Sequence, residues 1–149
     1  MHGISLKESL FPAQSSSPVW EISIGEKLRE MTALNPAAPA LVEVTVEGVT
    51  ERRWTYGELL ADAEQLAEAL STRFAPGERV VVWAHNIPEW VLMEYACALS
   101  GLVLVTANPA FQPKELRYVL EQSGAVALFL VESYRGNPMA EIGREATEG

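Results

Sequence analysis

The chain has 149 residues, about one domain's worth of polypeptide and enough for a single sizeable core. It is 48% hydrophobic and 21% charged, a balance that argues against a mainly disordered chain. A net charge of −9 sets most of its surface against nucleic acid or an anionic membrane, and no window nears the ~18 apolar residues of a membrane-spanning helix.

Residues 1–18, MHGISLKESLFPAQSSSP, form a polar lead-in expected to be a flexible leader. They lack the basic segment, long apolar run and small-residue cleavage site of a secretory signal, so the cytoplasm is the expected compartment. The fold is expected over 19–149. Ser23 followed by Glu26 is a capping-box signature, and Leu28, Met31 and Leu34 then recur at helical spacing until Asn35–Pro36 ends an amphipathic helix. The runs 40–46 and 49–55 flank Glu47–Gly48 and predict an antiparallel hairpin. Thr55 and Glu58 form a second capping box, ahead of an apolar stripe of Leu59, Ala63, Leu66, Ala67, Leu70 and Phe74.

After Pro76–Gly77 the pattern changes. RVVVWA (79–84), LVLVT (102–106) and VALFLV (126–131) are continuous apolar runs, as expected of strands covered on both faces. Helical segments separate them, at 88–100 with Pro88 near its start and Gly101 past its end, and at 112–123 with Pro113 and Gly124 in the same places. The alternation predicts an α/β fold: parallel-sheet βαβ units preceded by an amphipathic helix and a β-hairpin. The helix at 88–100 is apolar on nearly every side and is expected to be buried all round. Residues 137–149 begin like another helix, with Met139 and Ile142 on one face. No internal repeat is present.

Chemistry is sparse. The lone Cys97 excludes an internal disulfide and reads as a small buried hydrophobe. His85 has no partner at metal-ligand spacing and no nucleophile beside it, so a structural role is expected and no metal site is assigned. There is no Gly-x-Ser-x-Gly elbow, no Gly-x-Gly-x-x-Gly and no Gly-x-x-x-x-Gly-Lys loop. In open parallel sheets ligands gather at the carboxyl ends of strands, where TANPAFQP (106–113) lies. Two accounts of this turn stand. In one, helix-start amides near Lys114 meet an anion; in the other, the prolines preset the turn, Phe111 packs on the sheet edge and Asn108 bonds its own backbone. Arg135, in the next strand–helix connection, likewise either grips phosphate or is a solvated cation paired with Glu132 or Glu141.

RRWTYGELLADAEQLAEAL, followed by PGERVVVWAHNIPEWVLMEYACALSGLVLVTANPAFQPKELRYVLEQSGAVALFLV, resembles the N-terminal part of an AMP-forming acyl-CoA synthetase of the adenylate-forming superfamily. The resemblance covers nearly everything from Val19 onward, and Thr-Tyr-Gly-Glu-Leu and Asn-Pro-Ala-Phe are its most telling parts. It implies a ligase that uses ATP and magnesium to form an acyl-adenylate and then passes the acyl group to the thiol of coenzyme A. It also implies that the turn Asn108–Phe111 and Arg135 lie near the bound coenzyme, so Asn108, Phe111 and Arg135 are the expected cofactor contacts. The Ser-Tyr-Arg-Gly segment is similar to one in fatty-acid and aromatic-acid CoA ligases, which favours a CoA-forming member over a luciferase or a peptide-synthetase domain; a fatty or aromatic carboxylic acid is the expected substrate.

The family's phosphate loop, adenine-binding motifs and catalytic lysine have no counterpart in this chain, so no catalytic residue is assigned. The expected product is an N-terminal fragment of such a ligase, not catalytically complete alone, whose over-apolar helix would be covered by further chain. Marginal stability or self-association of the isolated chain is the corollary. The alternatives are an interaction module that pairs with a separate synthetase chain or with itself, and a gene remnant.

Overall fold

The computed structural model describes residues 19–45 and 47–148. The leader assigned to residues 1–18 lies outside them, as does Val46. Helix α1 (Ile24–Leu34) starts at Ser23, whose hydroxyl accepts from the Glu26 N–H while the Glu26 carboxylate accepts from the Ser23 N–H. Strands β1 (Pro39–Val44) and β2 (Thr50–Thr55) pair antiparallel, each shorter at the turn than the apolar runs alone suggest. Helix α2 (Tyr56–Ser71) follows directly from β2, because Thr55 both ends the strand and caps the helix through Glu58.

The remainder is β3 (Arg79–Trp83), α3 (Pro88–Ser100), β4 (Val103–Thr106), α4 (Pro113–Ser123), β5 (Ala127–Leu130) and α5 (Met139–Thr147). The three strands are parallel in the order β4–β3–β5, with Val80 level with Leu104 on one side and with Ala127 on the other. This is the predicted α/β architecture. Gly101 and Gly124 end α3 and α4 with φ of 72° and 62°, the left-handed conformation that glycine adopts without a Cβ penalty.

Alternation along β3 divides the core. Val80, Val82 and Ala84 meet Ala67 and Leu70 of α2 and Met93, Ala96 and Cys97 of α3. Val81 and Trp83 point the other way, into Leu116 of α4 and Met139, Ile142 and Ala146 of α5. Helix α5 sits so close to β5 that a Cβ at Gly143 would stand 2.5 Å from Leu130 Cδ2. Arg117 of α4 donates to the Glu145 and Glu148 carbonyls at 2.6 and 3.1 Å, satisfying the end of α5 from outside.

The three runs pack on both faces of the sheet, Leu104, Ala127 and Phe129 into one cluster and Val105, Leu128 and Leu130 into the other. Only β3 has a strand on either side, and the residues of β4 and β5 are half-buried or exposed. One expectation is corrected. Helix α3 is not buried all round: Pro88, Met93, Ala96 and Cys97 are buried, while Trp90, Val91, Leu92, Tyr95 and Leu99 are half-buried and Glu89 is exposed. Helices α1 and α2 and strand β1 all pack against it, so earlier parts of the chain supply much of its cover.

The hairpin is held against α3 by charge. Arg52 bonds the Glu43 carboxylate at 2.6 Å and also pairs with Glu89 at the start of α3. Those hydrogen bonds hold the Glu43 and Glu89 carboxyls below the ordinary carboxylate range, and the capping bonds from Ser23 and Thr55 do the same for Glu26 and Glu58. Carboxylates held low in the folded state stabilise it above their unfolded value of about 4.3, and the stabilisation is lost as pH falls through the folded values. Denaturant titrations from about pH 7 down to about pH 3 should therefore show stability falling only in the acid limb. Arg52→Ala should make that limb shallower; an unchanged acid limb in the variant would refute the clamp.

Candidate functional site

Because the three strands are parallel, the connections after β3, β4 and β5 emerge at one end of the sheet. After β4, Asn108 builds the turn twice over: its Oδ1 accepts from the Ala110 N–H at 2.9 Å and its carbonyl from the Phe111 N–H at 3.0 Å. That carbonyl also accepts from Trp83 Nε1–H at 2.7 Å, so the turn is moored to the buried end of the central strand. At the start of α4 the Glu115 carboxylate accepts from the Gln112 N–H at 2.9 Å.

After β5, Tyr134 and Asn137 exchange backbone hydrogen bonds of 3.1 and 2.8 Å around Arg135 and Gly136. Both central residues have positive φ, 49° at Arg135 and 81° at Gly136, as a tight primed hairpin turn requires. The Tyr134 ring stacks on His85, 4.4 Å between centroids and 10° between planes, and the Arg135 guanidinium lies 5.2 Å from the Tyr134 centroid. The two turns meet where Asn137 Nδ2 donates to the Pro109 carbonyl at 3.0 Å.

Between them lies an open cleft of about 590 Å³, lined by Asn108, Pro109, Gln112, Tyr134, Arg135 and Asn137 among others. Arg135 is the one charged side chain in its lining, and among the described residues it makes no ion pair. The pairing with Glu132 or Glu141 that the sequence left open is therefore not adopted. Asn108 and Arg135 share this cleft. Phe111 does not line it; it packs beneath, in the cluster that holds Trp83, Leu116 and Met139. Lys114 stands outside it. A cationic guanidinium beside side-chain amides suits an anionic ligand with amide or hydroxyl groups.

His85 is half-buried, its Nδ1 enclosed without a hydrogen-bond partner among the described residues, and its ring stacks on Tyr134. Cys97 is buried, and burial pushes its thiol up to about 11, which suits an inert core side chain. Sequence reasoning missed Trp83 as a mooring and Asn137 as a link. The Asn-Pro pair at 137–138 signalled a turn but not its partner, 28 residues earlier.

The model of the AMP-binding enzyme family matches residues 28–148. The chain belongs to that family. YngI of Bacillus subtilis (strain 168) is 41% identical over 91 residues, 60% of this chain and 17% of its own length. The mitochondrial medium-chain acyl-CoA ligase ACSF2 of Pongo abelii is 36% identical over 114 residues, 76% of this chain and 18% of the relative. The acyl-CoA ligase SID4 of Ajellomyces capsulatus is 34% identical over 114 residues, 76% of this chain and 19% of the relative. The chain thus spans about a fifth of the length of the curated relatives it matches, and it aligns with the N-terminal region of acyl-CoA synthetases.

Among solved structures, the N-terminal domain of FACL13 from Mycobacterium tuberculosis superposes with a TM-score of 0.65 at 22% identity, over 85% of this chain and 36% of that one. The N-terminal subdomain of Klebsiella oxytoca NpsA gives 0.67 at 20% identity, over 85% and 34%. Both likenesses are of fold. The AMP-binding fold places the cleft where such α/β sheets place ligands, but ATP and magnesium do not fit the residues present. The sequence has no glycine-rich phosphate loop, and among the described residues no cluster of His, Cys, Asp or Glu could hold a metal ion.

Proposed function

We propose that this chain supplies the coenzyme A side of an ATP-dependent, AMP-forming acid–CoA ligase acting in the cytoplasm on a fatty or aromatic carboxylic acid. The observation that carries the reading is the cleft in which an unpaired Arg135 faces Asn108 across the joined turns. Arg135 offers its guanidinium to a phosphate of the coenzyme, and Asn108, with its Oδ1 already engaged, offers Nδ2–H donors to an amide or hydroxyl. Phe111 secures the Asn108 turn from below. Coenzyme A, when bound, brings the thiol that accepts the acyl group. Adenylation is assigned to residues outside this chain.

Titration of the chain with coenzyme A, followed by amide NMR, tests the reading. Saturable shifts at 108–112 and 134–137 are expected, with none from AMP alone; no shift at millimolar coenzyme A would refute it. Pyrophosphate exchange with carboxylic acids should show no turnover by the chain alone.

A second reading, an interaction module that pairs with a separate synthetase chain or with itself, draws on one feature. An apolar hollow of about 250 Å³ lies between α3 and the free edge of β5, lined by Ala84, Ile87, Trp90, Met93, Phe129 and Val131. Sedimentation of the pure chain distinguishes the two, because a monodisperse monomer would remove self-pairing.

A further inference from the structure

We propose that Asn137 is a positioning residue for the ligand cleft: its side-chain amide sets the separation of the two turns on which Asn108 and Arg135 are carried. The proposal rests on the ligand reading given above. The strand order β4–β3–β5 puts the two turns two strands apart, roughly 10 Å at ordinary strand spacing. Each is anchored separately to the end of β3, the first by the Trp83 indole on the Asn108 carbonyl and the second by the His85 ring stacked on Tyr134. Neither anchor joins one turn to the other.

Among the described residues, Asn137 Nδ2 to the Pro109 carbonyl is the one hydrogen bond that does. Its geometry suits that task. Asn137 closes the tight turn through its own backbone N–H and carbonyl, so its side chain is fixed relative to Arg135 two residues before it. The acceptor belongs to Pro109, whose carbonyl shares a peptide plane with the Ala110 N–H that Asn108 Oδ1 holds, so its direction is tied to Asn108. A half-buried amide bridging two such turns has little to add to the hydrophobic core, which lies below it. It does determine how far the guanidinium stands from the Asn108 amide, and ligand positioning is sensitive to displacements of that kind.

The test uses the full chain and coenzyme A itself. Asn137→Ala is expected to weaken binding roughly threefold to tenfold, the effect of one lost hydrogen bond, with the melting temperature nearly unchanged. Asn137→Gln, which keeps the donor on a longer arm, should recover part of that loss. Arg117→Ala serves as the contrast: it frees the α5 carbonyls of Glu145 and Glu148 and should lower the melting temperature without altering affinity. Equal affinity for wild type and Asn137→Ala overturns the proposal, and so does a loss in Asn137→Ala that Arg117→Ala reproduces. If the wild type binds no coenzyme A, the ligand reading falls and the amide spectrum decides the positioning role on its own. Displaced Ala110 and Phe111 signals in Asn137→Ala then support a bridge between the turns, and unmoved signals overturn it.

Discussion

Arg135→Asn is expected to weaken coenzyme A binding about tenfold to a hundredfold while leaving the fold as stable as before or slightly more so. The two effects separate because Arg135 is in the wrong place for a residue chosen by its backbone. Its φ of 49° is left-handed, which costs an ordinary L-residue on the order of 1 kcal/mol and suits asparagine or glycine at the first central position of a primed turn. The side chain does not offset that through an ion pair; it is exposed, over Tyr134 and facing the cleft. The turn requires the left-handed backbone but not an arginine in it, and an arginine kept at that cost points to a role for its side chain. A calorimetric titration beside a thermal melt reads both numbers, and a variant that binds normally would sink the assignment of Arg135 to the ligand.

Trp83→Ala is expected to destabilise the protein by about 3–5 kcal/mol, a large share of the roughly 5–15 kcal/mol of an ordinary domain. Trp83 is fully buried at the end of the one strand flanked on both sides, between the Phe111 turn and the helices α4 and α5. Removing the indole leaves a cavity where those elements meet, and little nearby can collapse into it. Trp83→Phe isolates the second role of the residue. It keeps most of the ring but removes the donor to the Asn108 carbonyl, so a smaller loss of about 1–2 kcal/mol is expected. That carbonyl still accepts from the Phe111 N–H, and the turn should persist with greater mobility. Urea unfolding of both variants, with hydrogen exchange at Ala110 and Phe111, checks this; equal losses in the two variants would mean that packing has no part in the effect.

Much of the fold could be read from local signals. The two capping boxes at Ser23–Glu26 and Thr55–Glu58, and the glycines at 101 and 124, marked helix ends that the structure reproduces, because a cap depends on residues within one turn of each other. The three apolar runs were recognisable as parallel strands for a similar reason. Their unequal burial was not, since the order β4–β3–β5 decides which strand is central and nothing within a run records its neighbours.

Part of the candidate cleft was legible. Asn108 and Arg135 stood out as polar residues at strand ends, and both line it; coenzyme A as their ligand is the reading proposed above. Phe111, with the same promise in sequence, does not line the cleft; it is half-buried against the cluster of Trp83, Leu116 and Met139. The tie from Asn137 to Pro109 and the stack of His85 on Tyr134 join residues 28 and 49 positions apart, distances over which no periodicity operates.

By itself, then, the sequence determined the elements, their order and the family, since caps, turn residues and apolar periods act over a few neighbouring positions. The tertiary structure alone decided which strand lies in the middle, how earlier helices cover α3, and which side chains share the cleft. Those outcomes depend on packing between segments distant in the chain, where shape and hydrogen-bond geometry in three dimensions select the partner.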